Sequence, residues 1–101
     1  MGMANLQRMA MQMQQEMMKA TAEIEAARVE GSAGGGVVKA TVTGKGDLVA
    51  IEIDPSAVDP SDVAMLQDLI VAAVTEAQNS ARQMAEARMA SATGGMRLPG
   101  M

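Results

Sequence analysis

The residues able to do acid–base or covalent chemistry in this chain are few in kind. Its 101 residues include no His and no Cys, which removes the commonest general base, every thiol nucleophile and nearly every transition-metal ligand. Asp54, Asp59 and Asp62 lie close together in sequence and could be imagined around a hard cation. They lack the spacing of a calcium loop, and each stands where a turn or a helix start already uses a carboxylate. A metal-dependent hydrolase on this cluster is the most distant reading. The expectation is no catalytic residue, no metal, no cofactor and no small-molecule substrate.

Glycines offer a second candidate chemistry. Gly34, Gly35 and Gly36 precede Val37, but a phosphate cradle needs glycines between a strand and a helix start. Here they lead into a strand, so a turn with positive φ is the better reading. Phe, Trp and Tyr are absent, so no aromatic platform exists for stacking on single-stranded nucleic acid.

Charge is the remaining chemistry. The formal net charge is −4, which argues at first against a polyanionic partner, yet the charges are segregated. Residues 1–45 carry a net +1, residues 46–81 a net −7 with no basic group, and residues 82–101 a net +2. If the chain's two long helices are antiparallel, the start of the first meets the end of the second and basic tips project from an acidic body. Phosphates of a duplex could be held there without any base being read. Acids early and bases late are also what helix dipoles favour on an ordinary solvated face.

The elements that would position these charges follow from periodicity. Met3, Ala10, Met17 and Ile24 fall at one heptad position, and Leu6, Met13, Ala20 and Ala27 at the other. This seam predicts a first helix of about 25 residues that packs along a second. Met9, Met11 and Met18 lie off the seam, as candidates for a second contact. Glycines at 31 and 34–36 are expected to stop the helix. Val38, Ala40 and Val42 then alternate with polar residues, Gly44-Lys45-Gly46-Asp47 turns the chain, and Val49, Ile51 and Ile53 alternate in turn. The two runs predict an antiparallel hairpin with one buried face, to which Arg28-Val29-Glu30 could add a third strand. Asp59 is expected to cap the second helix with Pro60 at its first position, and Asp62 to favour its positive end. That helix carries Val63, Leu66, Ile70, Ala73, Ala77, Ala81, Met84 and Ala87 inward and runs about 30 residues to Gly94-Gly95.

Within it Leu69-Ile70-Val71-Ala72-Ala73-Val74 is apolar all round, more than one flank of a small sheet can cover. A second copy of the chain is the expected cover, and the seam residues Leu6, Met13, Met17, Ile24, Leu66, Leu69, Ile70 and Val74 are expected to fill the core or the dimer contact. The whole of residues 1–101 is expected to be one domain near the lower size limit for an independent core, with 94–101 a flexible tail. The longest apolar run is those six residues, far short of the roughly 20 a membrane-spanning helix needs. The Met-rich start lacks the compact block of a secretory signal, so the expected location is the cytoplasm, with no membrane partner.

In this order and spacing, several segments resemble the YbaB/EbfC family of bacterial nucleoid-associated DNA-binding proteins. They are Asn5-Leu6 with the Gln/Met-rich helix after it, Val29-Glu30-Gly31, Gly34-Gly35-Gly36-Val37-Val38-Lys39, the turn at Gly44, Ile51-Glu52-Ile53-Asp54-Pro55, Leu66-Gln67-Asp68-Leu69, Ala72-Ala73 and Leu98-Pro99-Gly100. The resemblance implies an α+β, two-layer fold: long helix, three-stranded antiparallel sheet, long helix, dimerising into a tweezer-like homodimer. It also implies duplex DNA as partner with little sequence preference, and a nucleoid location and role. Arg8 and Lys19 match basic positions of the family's first helix, and Arg82 and Arg88 its basic late second helix, making these four the candidate DNA contacts. Val49-Ala50 depart from relatives that carry positive side chains there, which thins the positive surface. The alternative is a dimeric protein-interaction scaffold with no direct DNA role.

Overall fold

The computed structural model describes residues 2–94. The expected tail after Gly94, with Arg97 and Leu98-Pro99-Gly100, lies outside the described residues. The order of elements is α1 (Met3–Ala26), β1 (Arg28–Ala33), β2 (Val38–Thr43), β3 (Leu48–Ile53) and α2 (Val63–Ala92). The strands form one antiparallel sheet in the order β1-β2-β3, so the architecture is α+β.

Helix α1 stops at Ala26, ahead of the glycines expected to end it. Ala27 is already extended, and Arg28 Nη1 donates to the carbonyls of Glu25, Ala26 and Ala27 at 3.4, 3.4 and 3.0 Å. A cation on the last carbonyls ends the helix where the pairing of β1 with β2 begins. The third strand is accordingly longer than Arg28-Val29-Glu30, and Gly31 sits inside it opposite Ala40. Gly34, Gly35 and Gly36 all take positive φ, at 64°, 75° and 98°, and turn β1 into β2.

Strand β3 departs from simple alternation. Ala50 lies opposite Thr41, but Leu48 lies opposite Val42, with a bulge between them. Val49 is the extra residue of that bulge, so Leu48 takes the inward place expected of Val49 beside Ile51 and Ile53. The start of α2 also differs from expectation. Asp62, not Asp59, caps it, accepting from the Met65 amide at 3.2 Å. Asp59 Oδ1 is taken by the amide and hydroxyl of Ser61, at 2.9 and 2.7 Å, which closes a turn ahead of the helix and leaves Pro60 outside it.

The core lies between the sheet and α2, where Val38, Ala40 and Val42 meet Ala73, Ala77 and Ala81. Leu66, Leu69, Ile70 and Val74 pack half-buried around it. Its largest completely buried side chains are two valines, so helix and sheet approach closely. A Cβ on Gly31 would collide with the Ala77 amide nitrogen and lie 2.5 Å from the Ala73 carbonyl oxygen and 2.8 Å from Ala77 Cα. α2 lies over β1 and β2, and Leu48 and Ile53 on β3 stay exposed, as does Val71 on α2.

Beyond the sheet, α2 runs antiparallel to α1: Ala20 and Ile24 are buried, and Glu23 meets Arg88. At 1.5 Å per residue α1 is about 36 Å long and α2 about 45 Å. The molecule measures 72 × 24 × 16 Å with a radius of gyration of 19.3 Å, against about 13 Å for a compact chain of this size.

Gly31→Ala is expected to cost about 1–3 kcal/mol, because the backbones of β1 and α2 must separate to admit the methyl group. Ser32→Ala, on the other face of β1, should stay within about 0.5 kcal/mol of the parent. Urea denaturation of both variants measures the difference.

Candidate nucleic-acid interface

The candidate cations fall into three settings. Arg8 and Lys19 are exposed on α1. They are eleven residues apart, three helical turns and about 16 Å, so both stand on one face of the helix. The other side, through Met17, Ala20 and Ile24, turns toward α2. No acidic residue precedes Glu16, so Arg8 sits in a stretch of Met, Gln and Asn with its charge unopposed.

Arg82 sits on the rim of a cleft of about 420 Å³ between α1, α2 and the β2–β3 turn, with Lys45 and Gln78. The Gln78 side-chain amide donates to the Gly46 carbonyl at 3.1 Å and fixes the turn to α2. Gly44 is required here, since a Cβ would overlap the Ile24 carbonyl oxygen. Lys45 Nζ pairs with Glu25 Oε1 at 2.8 Å. That hydrogen bond, reinforced by the carboxylate's charge and more weakly by Asp47, holds the ammonium's pKa above its usual value. Arg82 makes a long contact of 3.5 Å with Asn79 Oδ1. Sequence reasoning placed Lys45 in a turn without assigning it a role. Its place between two glycines, which bring the turn against the helices, was the available signal.

Arg88 is in the third setting. Its Nε donates to Glu23 Oε2 at 2.6 Å, joining residues 65 positions apart. The hydrogen bond holds the Glu23 carboxyl below its usual range, opposed by partial desolvation and helped by the charges of Arg88 and Lys19. It raises Arg88 in turn. Arg88 therefore clamps α2 to α1, and much of its charge is spent inside the molecule.

The seam residues divide in the same way. Ile24 is buried and Met17 half-buried against α2, while Met13, Leu6 and Met3 are 38%, 57% and 77% exposed. Met9, Met11 and Met18 are exposed as well. Asp54, like Asp59, serves its own turn, accepting from the Ser56 amide at 2.9 Å. Both carboxyls are held below their usual range, Asp54 chiefly by the Ser56 backbone amide and Asp59 chiefly by the Ser61 hydroxyl. Among the described residues no group of three or more His, Cys, Asp or Glu is placed to hold a metal ion, and no helix is long and apolar enough to cross a membrane.

A thin two-layer body holding out a helix start that carries Arg8 with no acid beside it is the arrangement of a binding protein, and comparison with known proteins agrees. The profile of the YbaB/EbfC DNA-binding family matches residues 1–96, and the chain belongs to that family, which is one of DNA-binding proteins rather than enzymes. A nucleoid-associated protein of Moorella thermoacetica is 52% identical over 99% of both chains. Nucleoid-associated proteins of Alkaliphilus metalliredigens and Nocardia farcinica are each 48% identical over 98% of this chain, covering 87% and 90% of theirs. The crystal structure of an uncharacterized protein from Helicobacter pylori, HP0035, shares the fold with a TM-score of 0.69 at 21% identity, over 86% of this chain and 91% of that one.

The Glu23–Arg88 clamp has a pH signature. A carboxyl depressed in the folded state stabilises above its unfolded pKa, and the stabilisation fades as pH falls through the folded value. The stability difference between the parent and Glu23→Gln should be largest near neutral pH and vanish in acid. Denaturation midpoints taken across the carboxylate range follow it.

Proposed function

We propose that this protein is a nucleoid-associated, homodimeric DNA-binding protein that holds duplex DNA through its phosphates with little preference for sequence. The observation that carries the reading is the pair Arg8 and Lys19, exposed on one face of α1 and about 16 Å apart, on a helix with no acid before Glu16. Cations that close can meet separate phosphates of one duplex, and phosphate contacts position a protein without reading bases. Arg82, beside Lys45 at the cleft, adds a second contact. Arg88 contributes less, since Glu23 already neutralises it.

Family membership and the relatives' names support DNA and the nucleoid as partner and place. The acidic segment 46–81 repels a duplex from the body and leaves the helix tips as the attractive surface. Two subunits are proposed because each leaves apolar side chains in water on both layers: Leu48, Val49 and Ile53 on the sheet, Val63, Met65 and Val71 on α2. Pairing through this body covers them and leaves the helix ends free.

Titration of a labelled duplex at a series of salt concentrations tests the reading. The logarithm of affinity should fall linearly with the logarithm of salt, with a slope of about −0.9 for each phosphate neutralised. Arg8→Ala and Lys19→Ala should each make the slope shallower by about one per contacting subunit, at an unchanged dimer mass. Binding that ignores salt, or is absent at low salt, overturns the proposal.

A further inference from the structure

The heptad seam of α1 is used over only half its length. Ala20 and Ile24 are buried and Met17 half-buried where α2 runs beside them. α2 ends at Ala92. The seam continues past it in the same register through Met13, Ala10, Leu6 and Met3, all exposed and without cover among the described residues. A stripe continuous with a helix–helix contact and sharing its period is shaped for another helix.

We infer that this projecting segment takes the same segment of a second copy, antiparallel, as an association surface separate from the body contact proposed above. The spacing is self-complementary. With the two helices reversed, Met3 faces Met13, Leu6 faces Ala10, and the same pairs recur by symmetry on the other side of a two-fold axis. Each Leu side chain then fills the space left by an Ala. Parallel pairing stacks Ala10 on Ala10, leaving a gap, and sets two positive helix ends side by side, whereas reversal opposes the dipoles. Charge does not intervene: Gln7, Met9 and Gln14 flank the seam, and Arg8 stands on the far face. Arg8 therefore stays free for phosphate while the seam is closed.

The paired segment is eleven residues, about 16 Å, on each copy. So short an interface lies below the size of stable complexes and is weak between free molecules. It acts when copies are concentrated, as along one duplex. Joined tip to tip, two dimers would link the duplexes that each one holds.

The chain's lack of cysteine makes the test clean. Leu6→Cys and Ala10→Cys are prepared separately, mixed in equal amounts at high concentration and oxidised, with Ala22→Cys as an exposed control off the seam. A mixed disulfide between positions 6 and 10, several-fold above either homodisulfide, supports the antiparallel pairing. Homodisulfides in excess, or no link above the control, overturn it. So does a disulfide closed within one chain when Leu6→Cys is combined with Leu98→Cys, which would mean that the chain's own last residues cover the seam.

Sedimentation gives a readout independent of the thiols. The parent should show species heavier than a dimer as concentration rises, and Leu6→Glu with Met13→Glu should abolish them while circular dichroism stays unchanged, because both residues lie beyond α2. A parent that never exceeds the dimer, and whose dimer survives both Glu substitutions, overturns the seam contact. If the two Glu substitutions together give a monomer instead, the seam pairing stands and the body dimer fails.

Discussion

Contact between backbones, rather than between large side chains, is the constraint on which this fold rests. Gly31 on β1 has no room for even a methyl group against Ala73 and Ala77, and the buried side of α2 is Ala73, Ala77 and Ala81. A helix so near the sheet needs no aromatic filler, and the sequence has none. The same closeness limits what α2 can cover: it lies over β1 and β2 while Leu48 and Ile53 of β3 remain in water. Burying a valine completely stabilises by about 1.5–3 kcal/mol, so two valines and a stripe of alanines make a thin core. Folding then leans on surfaces outside the two-layer sandwich, of which the α1–α2 clasp is one.

The electrostatics divide along the length of α1. Its last turns carry Glu23 and Glu25, which hold Arg88 and Lys45 and tie the helix to α2 and to the β2–β3 turn. Its first turns carry Arg8 and no acid. The acids are thus placed where the helix must be anchored and left out where it projects. Exposed ion pairs contribute little to stability individually. Their effect here is to fix position and to decide which cations remain available to an outside anion.

Features set by short-range patterns were legible in the sequence. The heptads of α1, the alternation of β2, the positive-φ glycines and the 30-residue second helix all depend on neighbours within a few positions, and the motif order pointed to the family that the profile match shows. The resemblance and the weakly marked Val29 segment also pointed to the third strand. Features that depend on distant partners were not legible. Gly31 looked like a helix breaker because nothing local shows that α2 will press on it. The bulge at Val49 follows from how β3 meets β2, and composition does not announce it. Nearer at hand, Asp59 was expected to cap α2 because Pro60 suits a first helical position, but Ser61 takes its carboxylate and Asp62 caps instead. Arg88 read as a free cation because its partner is 65 residues away.

The Gly31–alanine contact also acts as a pivot. α2 is seated on the sheet at Ala73 and Ala77, extends past it for several turns, and there clasps the end of α1, whose first residues reach farther still along a molecule 72 Å long. Any tilt at the pivot is multiplied by that lever before it reaches Arg8. A substitution in the alanine stripe can therefore misdirect the tip while leaving every charged group on it untouched.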